Sequence, residues 1–292
     1  MGLKDLFASV FKGSGHDVAE LARRLDIDET ELRAVRPAYR TFTIPKRSGG
    51  TRRIDAPDRE LSNLQRRVLR HLLARLRAHP NATGFERGCS IVTNAVLHAG
   101  KAVVVRMDVK EFFPTTRARR VEQYFRRIGW NREAGALLMR ICTHHGTLPQ
   151  GAPTSPRLSN LVNYRLDARL AAMAHRFGAA YTRYADDMTF SLERDDRAGV
   201  HNVIRATKAI VANFGYKLHQ HRKLRVRRRH QQQHITGLVV NERVNLPRAT
   251  RRRLRAIGHH LSTGRPATLT EQQFAGWRAL QQMIARQSGA SV

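Results

Sequence analysis

The run Ala102-Val103-Val104-Val105-Arg106-Met107-Asp108 leaves this chain the least freedom. β-Branched side chains are stiff at χ1 and suit a pleated surface, and a run this apolar reads as a strand buried on both faces. It ends in an acid. Further along, Tyr181-Thr182-Arg183-Tyr184 and Met188-Thr189-Phe190-Ser191 flank Ala185-Asp186-Asp187, the pattern of two strands around a tight turn with acids at its tip. If these strands are neighbours in one sheet, Asp108, Asp186 and Asp187 converge at one edge. An aspartate in a turn is otherwise ordinary, because its side chain bonds its own backbone. Three clustered carboxylates stay ionised only when cations neutralise them. Mg²⁺, a hard cation that takes oxygen ligands, matches that need. Two such ions about 3.5–4 Å apart are the apparatus of in-line phosphoryl transfer.

Charge narrows the partner. Lys and Arg number 53 against 23 Asp and Glu, a formal charge of +30 on 292 residues. So large a charge repels itself and is usually neutralised by a polyanion. A membrane is the other acidic surface, but no stretch approaches the ~20 apolar residues that a bilayer span needs. The first residues, Leu3 to Lys12, lack a signal-peptide core. Cys89 and Cys142 form no C-x-x-C pair, so reduced thiols in a cytoplasmic protein are expected.

Around the acids, the chain reads as alternating elements. Residues 17–35 carry two short apolar stripes, a packing helix pair more readily than a DNA-reading helix-turn-helix. Residues 39–57 read as two strands joined by the basic, glycine-rich turn at Ser48-Gly49-Gly50. Residues 60–78 predict one amphipathic helix, 146–156 a loop, and 158–175 and 199–214 helices. Residues 235–240 predict a strand and 248–261 a very basic helix. The alternation across 102–240 fits a split βαβ sheet covered by helices.

Three boxes carry a resemblance. Tyr184-Ala185-Asp186-Asp187 resembles the Y-x-D-D box of reverse transcriptases, Asp108-Val109-Lys110-Glu111-Phe112-Phe113-Pro114 their first catalytic box, and Gln150-Gly151-Ala152-Pro153-Thr154-Ser155-Pro156 their Q-G-x-x-x-S-P box. They stand in the family's order, and the likeness runs from about Tyr39 to about Leu246. It implies an α+β fold, a right-hand polymerase with fingers, a ferredoxin-like split βαβ palm and a helical thumb. The implied divisions are 1–36 as an N-terminal helical extension, 37–240 as fingers and palm, and 241–292 as thumb. It also implies an enzyme, an RNA-directed DNA polymerase that uses dNTPs and two Mg²⁺ ions held by Asp108, Asp186, Asp187 and the backbone of Val109.

Other roles carry over one residue at a time. Lys46 and Arg52 resemble the fingers cations that grip a triphosphate, as charge-assisted bonds to phosphate can. Phe113 lies where the family places a steric gate against a ribose 2′-hydroxyl, or it is a core aromatic. Gln150 and Gly151 resemble the loop beside the nascent pair, and Lys223 a late palm lysine able to protonate or neutralise pyrophosphate.

Two further elements resemble the retron branch: Asn94-Ala95-Val96-Leu97-His98 matches N-A-x-x-H, and Ile235-Thr236-Gly237 resembles V-T-G with Ile in place of Val. Retron enzymes prime from a 2′-hydroxyl of a cognate structured noncoding RNA and make a branched RNA–DNA hybrid, acting with an effector protein in anti-phage defence. On that likeness, Asn94 and His98 are RNA-binding candidates, although one helical turn apart they could equally bond a neighbouring loop. Arg225, Arg227, Arg228, Arg251, Arg252 and Arg255 suit the backbone and 2′-hydroxyls of a folded RNA, or are solvated faces. Other readings stay open. Group II intron proteins share the boxes but usually continue into a maturase segment, other defence-associated reverse transcriptases resemble this chain, and a non-catalytic RNA-binding scaffold would share its charge.

Overall fold

The computed structural model describes residues 16–46, 49–219 and 224–289. The elements follow in the order α1 (Val18–Leu25), α2 (Glu29–Ala34), β1 (Tyr39–Pro45), β2 (Thr51–Pro57), α3 (Arg59–Arg67), α4 (Ile91–Val96), β3 (Val103–Asp108), α5 (Phe112–Thr115), α6 (Ala118–Arg127), α7 (Arg132–Cys142) and α8 (Ser155–Val162). They continue with α9 (Tyr164–Arg176), β4 (Ala179–Tyr184), β5 (Asp187–Leu192), α10 (Arg197–Asn213), β6 (Arg225–Arg228), β7 (His234–Ile235), β8 (Leu238–Val239), α11 (Arg248–Ser262) and α12 (Glu271–Gln287). The fold is α+β. It divides into two compact units, Met1–His79 with Glu111–Arg165 and Pro80–Lys110 with Leu166–Val292. This division cuts the chain elsewhere than the 1–36, 37–240 and 241–292 scheme.

In the first unit, α1 and α2 are a packing pair. Asp17 and Asp28 cap them, and Leu21, Leu25 and Leu32 are fully buried in a core with Leu61, Val68, Phe125 and Leu138. β1 and β2 form an antiparallel ribbon in which Ile44 faces Arg52. The helix expected over 60–78 is shorter. After α3 the backbone widens into a π-helical turn, Val68–Leu73, and the Arg157 guanidinium takes the carbonyls of Leu73 and Leu76, so the ladder stops there. The helix expected over 158–175 is two. At the break, Asn163 Nδ2 donates to the Ser159 carbonyl at 2.8 Å, a side chain competing with the backbone.

In the second unit, four antiparallel strands take the order β4-β5-β3-β6, the arrangement of a split βαβ sheet. The single strand expected over 235–240 is instead a hairpin of β7 and β8. Thr236 and Gly237 take successive positive φ values of 48° and 87°, which turns the chain back tightly. That hairpin, α4, α11 and α12 close a second core around Val92, Val104, Leu238, Leu254 and Ile284. Among the described residues, no helix is long and apolar enough to cross a membrane.

Candidate active site

The register of the four-stranded sheet brings Asp108 and Asp187 together. Asp108 ends β3 directly opposite Asp187, which begins β5, and directly opposite residues project to the same face with Cα atoms roughly 4.5–5.5 Å apart. One residue on, the Val109 N–H donates to the Asp186 carbonyl at 2.9 Å. This stitches the end of β3 to the turn. All three aspartates are half-buried. The turn depends on Ala185, which adopts a left-handed φ of 58° and so lets Tyr184 and Asp187 pair across it.

Two acids already meet positive or protonatable groups of their own unit. Arg106, two residues before Asp108 and therefore on the same face of β3, donates to both carboxylate oxygens of Asp187, with Nε 3.4 Å from Oδ1 and Nη2 on Oδ2. Its Nη1 donates to the His234 carbonyl at 3.2 Å. His219 Nε2 lies 3.4 Å from Asp108 Oδ1. The His219 N–H donates to the Asp108 carbonyl and the Lys110 N–H to the Lys217 carbonyl, at 2.9 and 2.8 Å, which fixes the strand end. Among the described residues, no group of three His, Cys, Asp or Glu side chains is placed to hold a metal ion. The donor set still fits a hard divalent cation. It offers only oxygens, from three carboxylates and the Val109 carbonyl, and Asp108 and Asp187 already draw groups that carry or can take positive charge.

Asn94 and His98 need correcting as RNA contacts. Both are buried in the second unit, at 1% and 0% exposure. Asn94 Oδ1 accepts from Thr83 Oγ1 at 2.7 Å. The His98 ring nitrogens lie 2.7 Å from Ser191 Oγ and 2.8 Å from Thr182 Oγ1, so the ring ties α4 to β4 and β5. Burial, with Lys101 adding to it, pushes His98 down to about 3, so the ring is neutral. A retron-like motif is here a structural latch behind the hairpin that bears the acids. Of the basic candidates, Arg225, Arg227, Arg251, Arg252 and Arg255 are exposed. Arg225 and Arg227 line a cleft of about 300 Å³ with Val104, Arg106, Gln232 and His234. Arg228 is half-buried and spends its Nε on Asp195 at 2.8 Å.

Lys46, Arg52, Phe113, Gln150 and Gly151 lie in the first unit. Lys46 and Arg52 are exposed at the end of the ribbon. Gln150 and Gly151 are stitched to the same strand as Arg52, because the Asp55 N–H donates to the Gln150 carbonyl at 2.9 Å. Gly151 has φ +135°, and a Cβ there would stand 2.9 Å from the Asp55 carbonyl oxygen. The glycine is thus required by the approach of β2 itself. Phe113 is half-buried and packs against the core of this unit, with its ring 5.7 Å from that of Phe112. Lys223 lies outside the described residues.

Sequence reasoning missed Arg106 and His219. Only Arg106 left a signal, a lone charge inside an apolar run and in phase with Asp108. His219 is recruited from a distant segment.

A model of the family described as reverse transcriptase (RNA-dependent DNA polymerase) matches residues 44–240, which include all three acids. The retron Mx65 reverse transcriptase of Myxococcus xanthus is 41% identical over 239 residues, covering 76% of this chain and 55% of the relative. The retron Mx162 reverse transcriptase of the same organism is 38% identical, covering 82% of this chain and 56% of the relative. The chain therefore spans about half the length of these two. For the retron Ec86 reverse transcriptase of Escherichia coli, identity is 33%, covering 90% of this chain and 82% of the relative. This chain belongs to the reverse transcriptase family, in its bacterial retron-type branch.

Proposed function

We propose that this protein is an RNA-directed DNA polymerase of a retron, which extends a primer on its cognate structured RNA with dNTPs and leaves a branched RNA–DNA product. The observation that carries the reading is the pairing of Asp108 with Asp187 across β3 and β5, with Asp186 bonded through its carbonyl to Val109. Asp108, Asp186, Asp187 and the Val109 carbonyl would hold Mg²⁺, which when bound neutralises phosphate charge and activates a primer hydroxyl. The chain's own part is to hold four oxygen donors on a rigid sheet end, so that little reorganisation is needed as charge develops. Arg106 keeps Asp187 compensated until a cation arrives.

In this reading, Lys46 and Arg52 grip the triphosphate, Lys223 assists the departing pyrophosphate, Gln150 and Gly151 support the nascent pair, and Phe113 selects the sugar. Exposed arginines at positions 225, 227, 251, 252 and 255 bind RNA backbone. The retron relatives support an RNA partner. Service with an effector in anti-phage defence is part of the same proposal.

The test is primer extension on an RNA template by the full chain and by the double variant D186N/D187N. The double variant should bind RNA and make no DNA. DNA synthesis at the wild-type rate would end the polymerase reading. RNA binding by a wild type that makes no DNA would favour the scaffold.

A further inference from the structure

Behind the acids lies a buried polar network that the proposed chemistry does not use. Tyr181 and Arg183 alternate along β4 and share one face, and both meet Asp167 of α9. Arg183 Nε and Nη2 donate to the two Asp167 oxygens at 2.8 and 2.6 Å. The Tyr181 hydroxyl donates to Asp167 Oδ1 at 2.8 Å. Arg183 and Asp167 are wholly buried. Burial alone would push the guanidinium down, but the Asp167 carboxylate more than offsets it, so Arg183 remains a cation. Its Nη1 donates to the Ala185 carbonyl at 2.9 Å. Ala185 is the residue held left-handed, a conformation disfavoured for a Cβ-bearing residue.

A second segment reaches the turn separately. Residues 81–84 run beside β4: the Arg183 N–H donates to the Asn81 carbonyl at 2.7 Å, and the Thr83 N–H to the Arg183 carbonyl at 2.9 Å. Gly84 then abuts the turn. A Cβ on Gly84 would stand 2.5 Å from Ala185 N, closer than real Cβ atoms come, and a tight 3.1 Å from Tyr184 C, and both neighbours are backbone. The peptide between Tyr184 and Ala185 is therefore located by Gly84, and the next peptide, into Asp186, by Arg183.

We infer that Arg183, Asp167 and Gly84 are positioning residues that set the Tyr184–Asp187 turn, and through it the placement of Asp186 and Asp187. A buried ion pair adds little stability over apolar packing, but apolar side chains would supply no donor for the Ala185 carbonyl. The inference rests on the reading of Asp186 and Asp187 as metal ligands.

The experiment compares full-length wild type, G84A, R183K, D186N and V203A. The last truncates a buried residue of α10 outside this network and controls for lost stability. Mn²⁺ binding is titrated by electron paramagnetic resonance without nucleic acid, and oligo(dT) extension is measured on poly(rA). G84A should weaken Mn²⁺ binding about 10–100-fold, as loss of an outer-shell support does. Its kcat should fall on the order of 10²-fold, with the KM for primer–template unchanged. R183K, which keeps the charge on Asp167 but loses the planar fork, should show the same split and serves if G84A does not fold. V203A should keep both values whatever its melting temperature. Wild-type Mn²⁺ affinity and kcat in G84A and R183K, or equal losses in V203A, would overturn the inference. If D186N binds Mn²⁺ like the wild type, the metal-ligand reading itself fails. If D186N loses the ion while G84A keeps it, only the positioning role falls.

Discussion

Arg106 grips the carboxylate of Asp187 across the β3–β5 pair, although the residue opposite Asp187 in register is Asp108. The same strand thus delivers an acid to the sheet end and, two residues earlier, the cation that compensates that acid's neighbour. A charge flanked by Val105 and Met107 is expensive to bury alone. Its pairing with Asp187 and with the His234 carbonyl accounts for its presence.

Removing that cation should strengthen divalent-ion binding. In R106Q the acids lose their resident counter-charge, and attraction of a divalent ion rises by about 1.4 kcal/mol or more, roughly tenfold in affinity. The metal-free chain should melt at a lower temperature than the wild type, and the gap should narrow on adding Mg²⁺. Calorimetric titration with Mg²⁺ and thermal melting check both. Unchanged affinity would mean that Arg106 does not sense the ion.

Phe113 packs on a core and is also the residue that the family resemblance assigns to sugar selection. If both hold, F113A should increase incorporation of ribonucleotides relative to deoxynucleotides while costing about 3–5 kcal/mol at most, the range for a buried phenylalanine. Competition between rNTPs and dNTPs in primer extension measures the first and denaturant unfolding the second. Unchanged discrimination would leave Phe113 with packing alone.

Exposed arginines should bind RNA through counterion release. In R225A and R227A the dependence of log affinity on log salt should flatten by about one unit for each phosphate left without its arginine. R228A should change it less, because Arg228 is already engaged by Asp195. Filter binding of a hairpin RNA across a salt series separates the three.

His98 gives the fold a pH dependence of definite sign. The unfolded ring takes a proton near 6.5 and the folded ring near 3, so between those values the unfolded chain binds more protons and stability falls as pH falls. By pH 5 the His98 contribution to that loss is about 2 kcal/mol. Urea unfolding at pH 7.5 and pH 5 should show the decline, and H98Q should show a smaller one. An equal decline in H98Q would exclude His98 as its source.

Much of this molecule was legible in one dimension. Local rules suffice for the β-branched run that ends at Asp108, for the hairpin around Ala185-Asp186-Asp187 and for the alternation of helices with strands, because side-chain period and turn preference act over a few residues. The same rules misjudged residues 60–78 and 235–240, where the outcome turned on Arg157 at a distant helix end and on two successive positive φ values.

Composition and short-range pattern determined that this is a basic α+β chain with three acids on strand ends and a turn, and the resemblance of three boxes supplied the likeness to a nucleic-acid polymerase. Only the tertiary structure decided that Asp108 faces Asp187, that Arg106 answers the second acid, that Asn94 and His98 look inward, and that Gly84 and Arg183 meet the same turn. The physical reason is range. A propensity is spent within a few residues, whereas register, burial and close approach arise between segments as far apart as positions 84 and 185, and those are chosen by the packing of the whole.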